Sequence, residues 1–392
     1  MNDRTMENIK KEKKHSLPKG WEIKKLGEVC EMYQPKTIST KEMVDDGQYP
    51  VFGANGIIGK YDKYNHEEPQ LLITCRGATC GSVNISEPKS WINGNAMVVR
   101  PKDHSIDLKF LEYLFRGGID LSKTITGAAQ PQITRQSLIP IEISYPKSLP
   151  EQQRIVAILD ETFSAIDKAK ANAEQNLKNA KELFESYLQG VFEKKGNGWE
   201  EKKLGEVYDV RDGTHDSPKY HNQGYPLVTS KNLKNHKLTF DNIKFISETD
   251  YLNINKRSKV DVGDVLFAMI GTIGNPVVIE DEPNYAIKNV ALFKVGNNQN
   301  SYFLKYFLDS KQTIEKMMRD AKGTTQKFVG LGYLRSFPIL VPPLKEQQTI
   351  VRQLDTLRIE TQKLESIYQK KILLLEELKK SILQKAFSGE LN

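Results

Sequence analysis

The sequence predicts an α+β chain in which two mixed, β-rich domains are joined by two long antiparallel helices that form a coiled coil. Blocks of sequence recur in the same order in both halves of the 392-residue chain, and two stretches carry apolar residues at sustained helical spacing. A pseudo-twofold internal repeat accounts for both observations. The predicted parts are a flexible basic tail (1–16), domain 1 (17–147), a central helix (148–195), domain 2 (196–342) and a C-terminal helix (343–392).

The repeat opens with ten residues of which nine are identical. GWEIKKLGEV at 20–29 recurs as GWEEKKLGEV at 198–207. Further along, NAMV at 95–98 matches NVAL at 289–292, and LPEQQRIV at 149–156 matches LKEQQTIV at 344–351. The offset between the copies grows by about seventeen residues on the way. An insertion in the second copy is therefore expected between about Thr229 and Asp261.

Short apolar runs bounded by Gly, Pro, Asn and Ser predict strands in each domain. The runs are 70–74, 83–85 and 97–100 in the first copy, and 265–270, 277–279 and 291–295 in the second. Apolar residues at helical spacing also predict one short helix per domain, over 108–115 and 302–316.

Two long helices are predicted to begin at Pro150 and near Lys345. Apolar or small residues follow at steps of three and four, the pattern of a coiled-coil seam. Glu151 and Glu346 occupy the first turns, where a negative side chain favours the helix dipole. Each helix should be roughly 60 Å long, and copies related by a twofold axis set the two helices antiparallel.

The end of the chain is expected to return to its beginning. Residues 381–387 (SILQKAF) match residues 186–192 (SYLQGVF), and the latter run directly into domain 2. By the same pattern, the C-terminus should lie near residues 17–21 at the start of domain 1. The two helices would then be the rigid link between the domains, so their length is expected to set any spacing between two bound sites.

Composition limits the class of protein without defining it. The net charge of +7 permits nucleic-acid binding but does not require it. Cys30, Cys75 and Cys80 are few and odd in number, which favours reduced thiols in a cytosolic protein, and no further Cys or His pair completes a zinc site. The charged N-terminus has no apolar signal region, and no stretch is long enough to span a membrane, so a cytoplasmic location is expected.

The order of these motifs resembles the Type I restriction–modification specificity subunit. A GWE-x-x-x-LGEV entry, a Gly-rich hairpin and an L-x-EQQ helix start occur twice, so the resemblance covers nearly the whole chain. It implies two target-recognition domains on helical spacers, with two methyltransferase subunits and motor–nuclease subunits as partners. S-adenosylmethionine, ATP and magnesium are expected on those partners, and no cofactor on this chain. Because the two domains differ in sequence, the expected DNA target is bipartite and asymmetric.

Two missing motifs favour a chain without a catalytic site. The sequence lacks the Asp/Asn/Ser-Pro-Pro-Tyr/Phe loop with which amino-methyltransferases hold a flipped base, and its double proline, Pro342-Pro343, leads into a helix. It also lacks the Gly-x-x-x-x-Gly-Lys-Ser/Thr phosphate loop of ATPase motors.

Polar residues outside any helical or strand period are the candidate DNA contacts, since base readout needs Arg, Lys, Asn or Gln and phosphate contact needs cations or free amides. They are Arg76, Gly77 and Thr79 with Thr272 in a Gly turn; Gln130, Gln132 and Arg135 with Thr324, Thr325, Gln326 and Lys327 in a polar loop; Asn93 and Asn95 with Lys288 and Asn289; and His215, Lys231 and Asn232 in the second copy alone. Each has a structural alternative. A hairpin needs Gly in its turn, and Asn in turns often bonds only locally. His215 lies between Asp212 and Asp216, but the spacing of a metal site is missing and a polar recognition loop is favoured.

Three other functions fit parts of this pattern. A recognition subunit that serves a fused nuclease–methyltransferase shares the chemistry and differs only in its partner. A coiled-coil scaffold with two protein-binding heads predicts no salt-sensitive DNA affinity and leaves the Gln, Arg and Lys loops unexplained. A nuclease that uses His215 and nearby acids predicts metal-dependent cleavage by the purified chain.

Overall fold

The computed structural model describes residues 17–127, 131–193 and 196–391. The chain divides into two compact units. The first unit takes the described residues up to Ala173 together with those from Lys370 onward, and the second unit is Glu174–Gln369. Each unit combines sheets with helices, so the predicted α+β class with two β-rich domains and two long helices is confirmed.

The first unit contains a four-stranded antiparallel sheet backed by helices. Its strands are β1 (Trp21–Lys25), β2 (Cys30–Tyr33), β3 (Tyr49–Gly53), β4 (Gly56–Tyr61), β5 (Leu71–Thr74), β6 (Val83–Ile85), β7 (Trp91–Ile92), β8 (Ala96–Pro101) and β9 (Glu142–Pro146). The main sheet has the order β2-β8-β5-β6, a second sheet has the order β4-β3-β7, and β1 pairs antiparallel with β9. The three predicted strands of the first copy correspond to β5, β6 and β8, which confirms them.

The short helices of the first unit are α1 (Leu26–Val29), α2 (Leu108–Tyr113) and α3 (Arg135–Leu138). Asp107 caps α2 by accepting from the backbone amides of Lys109 and Phe110. The predicted helix over 108–115 is confirmed, and one wider π-helical turn extends it to Gly118. A methyl group on Gly118 would lie 2.7 Å from the ring of Phe387, so the missing side chain permits close packing there.

The second unit repeats this plan with additions. Its strands are β10 (Glu200–Lys203), β11 (Asp209–Asp212), β12 (Tyr225–Thr229), β13 (Leu233–Lys234), β14 (Lys237–Leu238), β15 (Lys244–Ile246), β16 (Val265–Ala268), β17 (Gly274–Val278), β18 (Ala286–Lys288), β19 (Val290–Lys294) and β20 (Pro338–Val341). The main sheet, β11-β19-β16-β17, has the same order as its counterpart in the first unit. The other sheets are β15-β12-β18, β10-β20 and the ribbon β13-β14.

The predicted insertion is confirmed as folded structure. Between Thr229 and Asp261 the chain forms the β13-β14 ribbon, β15 and the helix that follows it; β15 pairs with β12 as β4 pairs with β3, so the ribbon and the helix are the added elements. The helices of the second unit are α4 (Leu204–Val207), α5 (Glu248–Ser258), α6 (Ser301–Asp309), α7 (Lys311–Asp320) and α8 (Leu331–Ser336).

The single helix predicted over 302–316 is wrong, because the segment breaks at Ser310. This residue is extended, with φ −62° and ψ 137°, and it is buried. Its hydroxyl donates to the carbonyl of Phe307 and lies 2.9 Å from the Thr313 hydroxyl. A serine that bonds the local backbone competes with helix continuation, and the sequence period alone did not reveal the break.

The long helices span Leu149–Glu193 and Leu344–Phe387, close to their predicted starts. In the first unit, Asp167 pairs with Lys379 at 3.0 Å and Lys170 with Glu376 at 2.7 Å. The residue number rises along the central helix as it falls along the C-terminal helix, so these two segments run antiparallel. In the second unit, the Arg358 guanidinium lies over the Phe184 ring and Tyr187 bonds Gln353, which gives the same direction. Among the described residues, no helix is both long and apolar enough to cross a membrane.

Each unit buries one side of its main sheet against short helices and the long ones. In the first unit Ile73 and Val99 pack with Phe110, with the central helix at Leu159 and with the C-terminal helix at Leu383. In the second unit the equivalent layers form one core, which includes Phe267, Phe293, Phe303, Leu188 and Leu354.

The repeated L-x-EQQ motif has a structural cause. Gln152 and Gln347, the first glutamine of each copy, are fully buried. Gln347 accepts from the Asn300 amide and donates to the carbonyl of Pro342, both at 2.9 Å. Gln152 accepts from the Asp107 amide at 2.8 Å and donates to the carbonyl of Pro146 at 2.8 Å. In both units the glutamine therefore joins the start of a long helix to the last strand and to the start of a short helix.

The expected return of the C-terminus is confirmed within the first unit. A methyl group on Gly389 would lie 2.0 Å from the Pro18 ring, so the two backbone segments are in contact. Arg154 also donates to the carbonyl of Leu391 at 3.0 Å. Both ends of the described chain thus complete the same unit.

Candidate nucleic-acid interface

In the second unit, the Gly turn and the polar loop form one surface. The turn between β16 and β17 contains Gly271, whose φ of +81° favours glycine. The Gly271 amide donates to the carbonyl of Lys327 at 2.8 Å, and Ile270 forms an antiparallel bridge with Phe328. Two regions that the sequence singled out separately are therefore hydrogen-bonded to each other.

The polar loop is a tight hairpin, residues 322–328, here called the Gln326 hairpin. Lys322 and Phe328 exchange two backbone hydrogen bonds, each 2.9 Å long. Gly323 has φ +94°, and a methyl group there would lie 2.2 Å from the carbonyl oxygen of Gln326. The chain can close this turn only with glycine at that position. Thr324, Thr325, Gln326 and Lys327 are all exposed at its tip.

The first unit has the same pair of backbone bonds at the corresponding position, and we call its described residues, 126–127 and 131–132, the Gln132 hairpin. Thr126 and Gln132 exchange backbone hydrogen bonds of 2.9 and 2.8 Å. Gln132 also forms a bridge with Arg76, and the Gly77 amide donates to the carbonyl of Pro131 at 3.1 Å. The predicted contact Gln130 lies outside the described residues.

Side chains around the first unit's turn are exposed and polar. Arg76, Gln132 and Arg135 are exposed, and the Thr79 hydroxyl accepts from the Asn55 amide at 2.7 Å. Beneath them, burial raises the pKa of the Cys75 thiol to about 11, which keeps it protonated at neutral pH. The cysteine thus belongs to the support of the turn and carries no charge to the surface.

The second unit adds a polar network beside its turn. His215 places Nε2 2.8 Å from an Asp212 carboxylate oxygen and Nδ1 2.8 Å from Oδ1 of Asn289. Asp212 is buried and also pairs with Arg257. Asn289 adopts a left-handed backbone with φ 54°, and Lys288 donates to the Ser217 hydroxyl. The network fixes the orientation of His215 and Asn289 at the surface.

Two predicted contacts are instead part of the interior. Asn93 is 3% exposed; its amide accepts from the Ile38 backbone at 2.9 Å and donates back to the Ile38 carbonyl. Asn232 is equally enclosed, accepting from the Thr229 amide and donating to the carbonyl of Thr239, both at 3.0 Å. The polar atoms of both side chains are thus used within the fold, although Asn232 still lines the groove described below. Asn95 and Thr272, by contrast, are exposed.

The second unit also contains a groove that sequence reasoning described only in part. It has a volume of about 530 Å³ and is lined by Lys231, Asn289 and Gln326, and also by Tyr220, Lys234, Asn242 and Lys244. The last four were not predicted. The signal that could have found Lys234 and Lys244 is the series of lysines in the insertion; no sequence signal pointed to Tyr220 or Asn242. Among the described residues, no cluster of three or more His, Cys, Asp or Glu side chains could hold a metal ion.

Two repeated units, each with an exposed polar hairpin on a four-stranded sheet, define a duplicated recognition protein. The sequence profile described as "Type I restriction modification DNA specificity domain" matches residues 18–178 and 196–374. The chain belongs to this family, which confirms the resemblance.

Similar proteins extend over nearly the whole chain. The Type I restriction enzyme MjaVIII specificity subunit of Methanocaldococcus jannaschii is 24% identical and aligns with 98% of this chain and 96% of its own. The EcoKI specificity subunit of Escherichia coli K12 is 23% identical over 96% of this chain and 90% of its own. The crystal structure of the HsdS subunit from Thermoanaerobacter tengcongensis matches with a TM-score of 0.64 at 20% identity, covering 96% of this chain and 99% of that one.

Proposed function

We propose that this chain is the DNA-reading subunit of a Type I restriction–modification complex. Residues 17–147 and 196–342 would be the two target-recognition domains, and the long helices the spacers. The observation that carries this proposal, beside family membership, is that each unit joins its Gly turn to an exposed glutamine hairpin. Exposed amide and guanidinium groups on a rigid support are the chemistry that reads base edges and phosphates.

The proposed target has two unlike halves. The two units share their sheet order but differ in the surface around it, since among the described residues the second unit alone has the β13-β14 ribbon and the His215 network. Different surfaces present different donors and acceptors, and the major-groove edge of each base pair has its own pattern of these groups. The first unit would therefore read one short sequence and the second unit another.

The proposed role in the complex is positioning, without a catalytic step on this chain. Methyltransferase and motor–nuclease subunits in the cytoplasm would supply adenine methylation and restriction, with S-adenosylmethionine, ATP and magnesium bound to them. The long helices support the existence of such partners, because several of their large apolar side chains are exposed. These include Leu183, Ile359, Ile367, Leu373 and Leu374.

The test is a comparison of DNA methylation in cells with and without this gene. Deletion should abolish methyl-adenine at one bipartite motif whose halves differ, and reintroducing the gene should restore it. An unchanged set of methylated motifs, in cells shown to express the chain and its methyltransferase, would contradict the proposal. Purified complex should also bind the motif with an affinity that falls as salt rises.

A further inference from the structure

The groove in the second unit lies between two walls of different origin. One wall is the insertion, which contributes Lys231, Lys234 and Lys244. The other is the Gln326 hairpin together with Ile270 of the Gly turn. A methyl group on Gly271 would lie 3.0 Å from the side-chain nitrogen of Gln326, so the glutamine amide lies directly against the turn.

The insertion wall presents unpaired positive charge. Within the described part of the chain, the side chains of Lys231, Lys234 and Lys244 form no ion pair or hydrogen bond, while Asp241 is the one acidic residue in the lining. Three lysines against one aspartate leave the groove with two excess positive charges. Unpaired ammonium groups on a concave surface favour a ligand rich in oxygen and nitrogen acceptors. Phosphates and the O6 and N7 atoms of guanine are such acceptors in DNA.

The ribbon that carries Lys234 is held in place. Asn235 and His236, with φ of 50° and 59°, form the two-residue turn between β13 and β14 that a tight hairpin requires. His236 lies 3.4 Å from Asp309, which also pairs with Arg358. The neighbouring Leu233 is buried in the core of the unit with Leu266, so Lys234 projects from a strand that is held in place. Lys237, its partner in the ribbon, is equally exposed but does not line the groove.

The opposite wall is common to both units. The Gln132 hairpin has the same pair of backbone bonds as the Gln326 hairpin, and the sequence Gly-x-x-Gln occurs at 127–130 and 323–326. If the two halves of the target differ in sequence, an element present in both units is suited to contact the features of DNA that both halves have in common. An element found in one unit is suited to contact the bases that are particular to that half of the target.

We propose that this groove holds the second half-site of the DNA, with the insertion lysines selecting acceptor-bearing base edges and the Gln326 hairpin contacting DNA independently of sequence. The inference rests on the proposed function. It assigns the sequence preference of the second unit to Lys231, Lys234 and Lys244, and the general contact to Gln326.

The test uses the complete system in cells, with methylated motifs mapped for wild type, Lys234→Ala, the triple alanine variant of the three lysines, Gln326→Ala and the control Lys237→Ala. The lysine variants should relax preference at positions of the second half by about tenfold per lost contact, and leave the first half unchanged. Gln326→Ala should lower methylation equally at all sites with the motif intact. Lys237→Ala should match wild type.

Specific results would overturn the assignment. Equal behaviour of Lys234→Ala and Lys237→Ala, together with a wild-type motif in the triple alanine variant, would remove the insertion lysines from base selection. A uniform loss with an intact motif in the lysine variants would place the lysines on phosphates and contradict base selection. Relaxation of the motif by Gln326→Ala would contradict the division between the walls. A wild-type complex that produces no motif would instead contradict the proposed function. Melting temperatures of the purified variant complexes separate these effects from misfolding.

Discussion

The buried glutamine that starts each long helix gives a prediction about stability that does not depend on function. Replacing Gln347 by Met keeps the length and approximate shape of the side chain and removes its polar atoms. The Asn300 amide then loses its acceptor and the Pro342 carbonyl loses its donor, both in contact with a fully buried side chain. Gln299, the third partner of Gln347, is partly exposed and can bond water instead.

The expected cost follows from these two groups. A buried donor or acceptor left without a partner costs about 1–3 kcal/mol, and the methionine recovers part of this through apolar contact. We therefore expect the second unit to lose roughly 2–4 kcal/mol of unfolding free energy. For a unit of this size, that corresponds to a fall in melting temperature on the order of 10 °C.

Thermal unfolding of the purified complex, followed by calorimetry, measures this change. Gln348→Met is the matched control, because its side chain is exposed one position further along the same helix. We expect a large fall in melting temperature for Gln347→Met and almost none for Gln348→Met. If both variants melt within about 2 °C of wild type, the buried hydrogen bonds contribute little and the explanation of the repeated motif is refuted.

Three further predictions concern other parts of the fold. Gly323→Ala should cost about 1–2 kcal/mol in backbone strain and open the Gln326 hairpin. Amide hydrogen exchange in the hairpin should then become at least about tenfold faster. Gly330→Ala is the control and should leave the exchange rate unchanged, because a methyl group there meets open space. Burial lowers the pKa of His236 although Asp309 lies beside it, so as pH falls the imidazole is protonated in the unfolded state before it is protonated in the folded state. The second unit should therefore lose stability as pH falls below about 6.5. Chemical unfolding at pH 7 and at pH 5 should show a smaller loss of stability for His236→Asn than for wild type. Gly118→Ala should destabilise the first unit by about 1–3 kcal/mol, measured as a lower melting temperature, because the added methyl group overlaps Phe387.

Local sequence signals predicted most of the architecture. The recurring blocks and the three-to-four spacing of apolar residues depend on interactions between neighbours in the chain, and the strands, the long helices and the insertion followed from them. The helical spacing of apolar residues gave a wrong prediction at Ser310. Its hydroxyl donates to the Phe307 carbonyl and the helix ends there, although the apolar pattern continues.

The site was harder to predict because its geometry depends on distant pairs. The bridge between Arg76 and Gln132 joins residues 56 positions apart, and nothing in either segment indicates the other. Asn93 and Asn95 show the same difficulty at short range, since one is buried and the other exposed although both have the same chemistry. Periodicity could not separate them, because the segment is irregular and the orientation of Asn93 is set by its bonds to the distant Ile38.

The contact between Gly389 and Pro18 has a consequence for the order of folding during synthesis. The second unit, Glu174–Gln369, is one continuous stretch, whereas the first needs residues from both ends of the chain. At typical rates of translation, the ribosome takes on the order of 10–40 s to pass from Ala173 to Lys370. Through that time the sheet of the first unit lacks Leu383 and Ala386, which close its core. The unit whose synthesis begins first therefore completes its core last. A chain released early would contain a complete second unit and a first unit with an incomplete core.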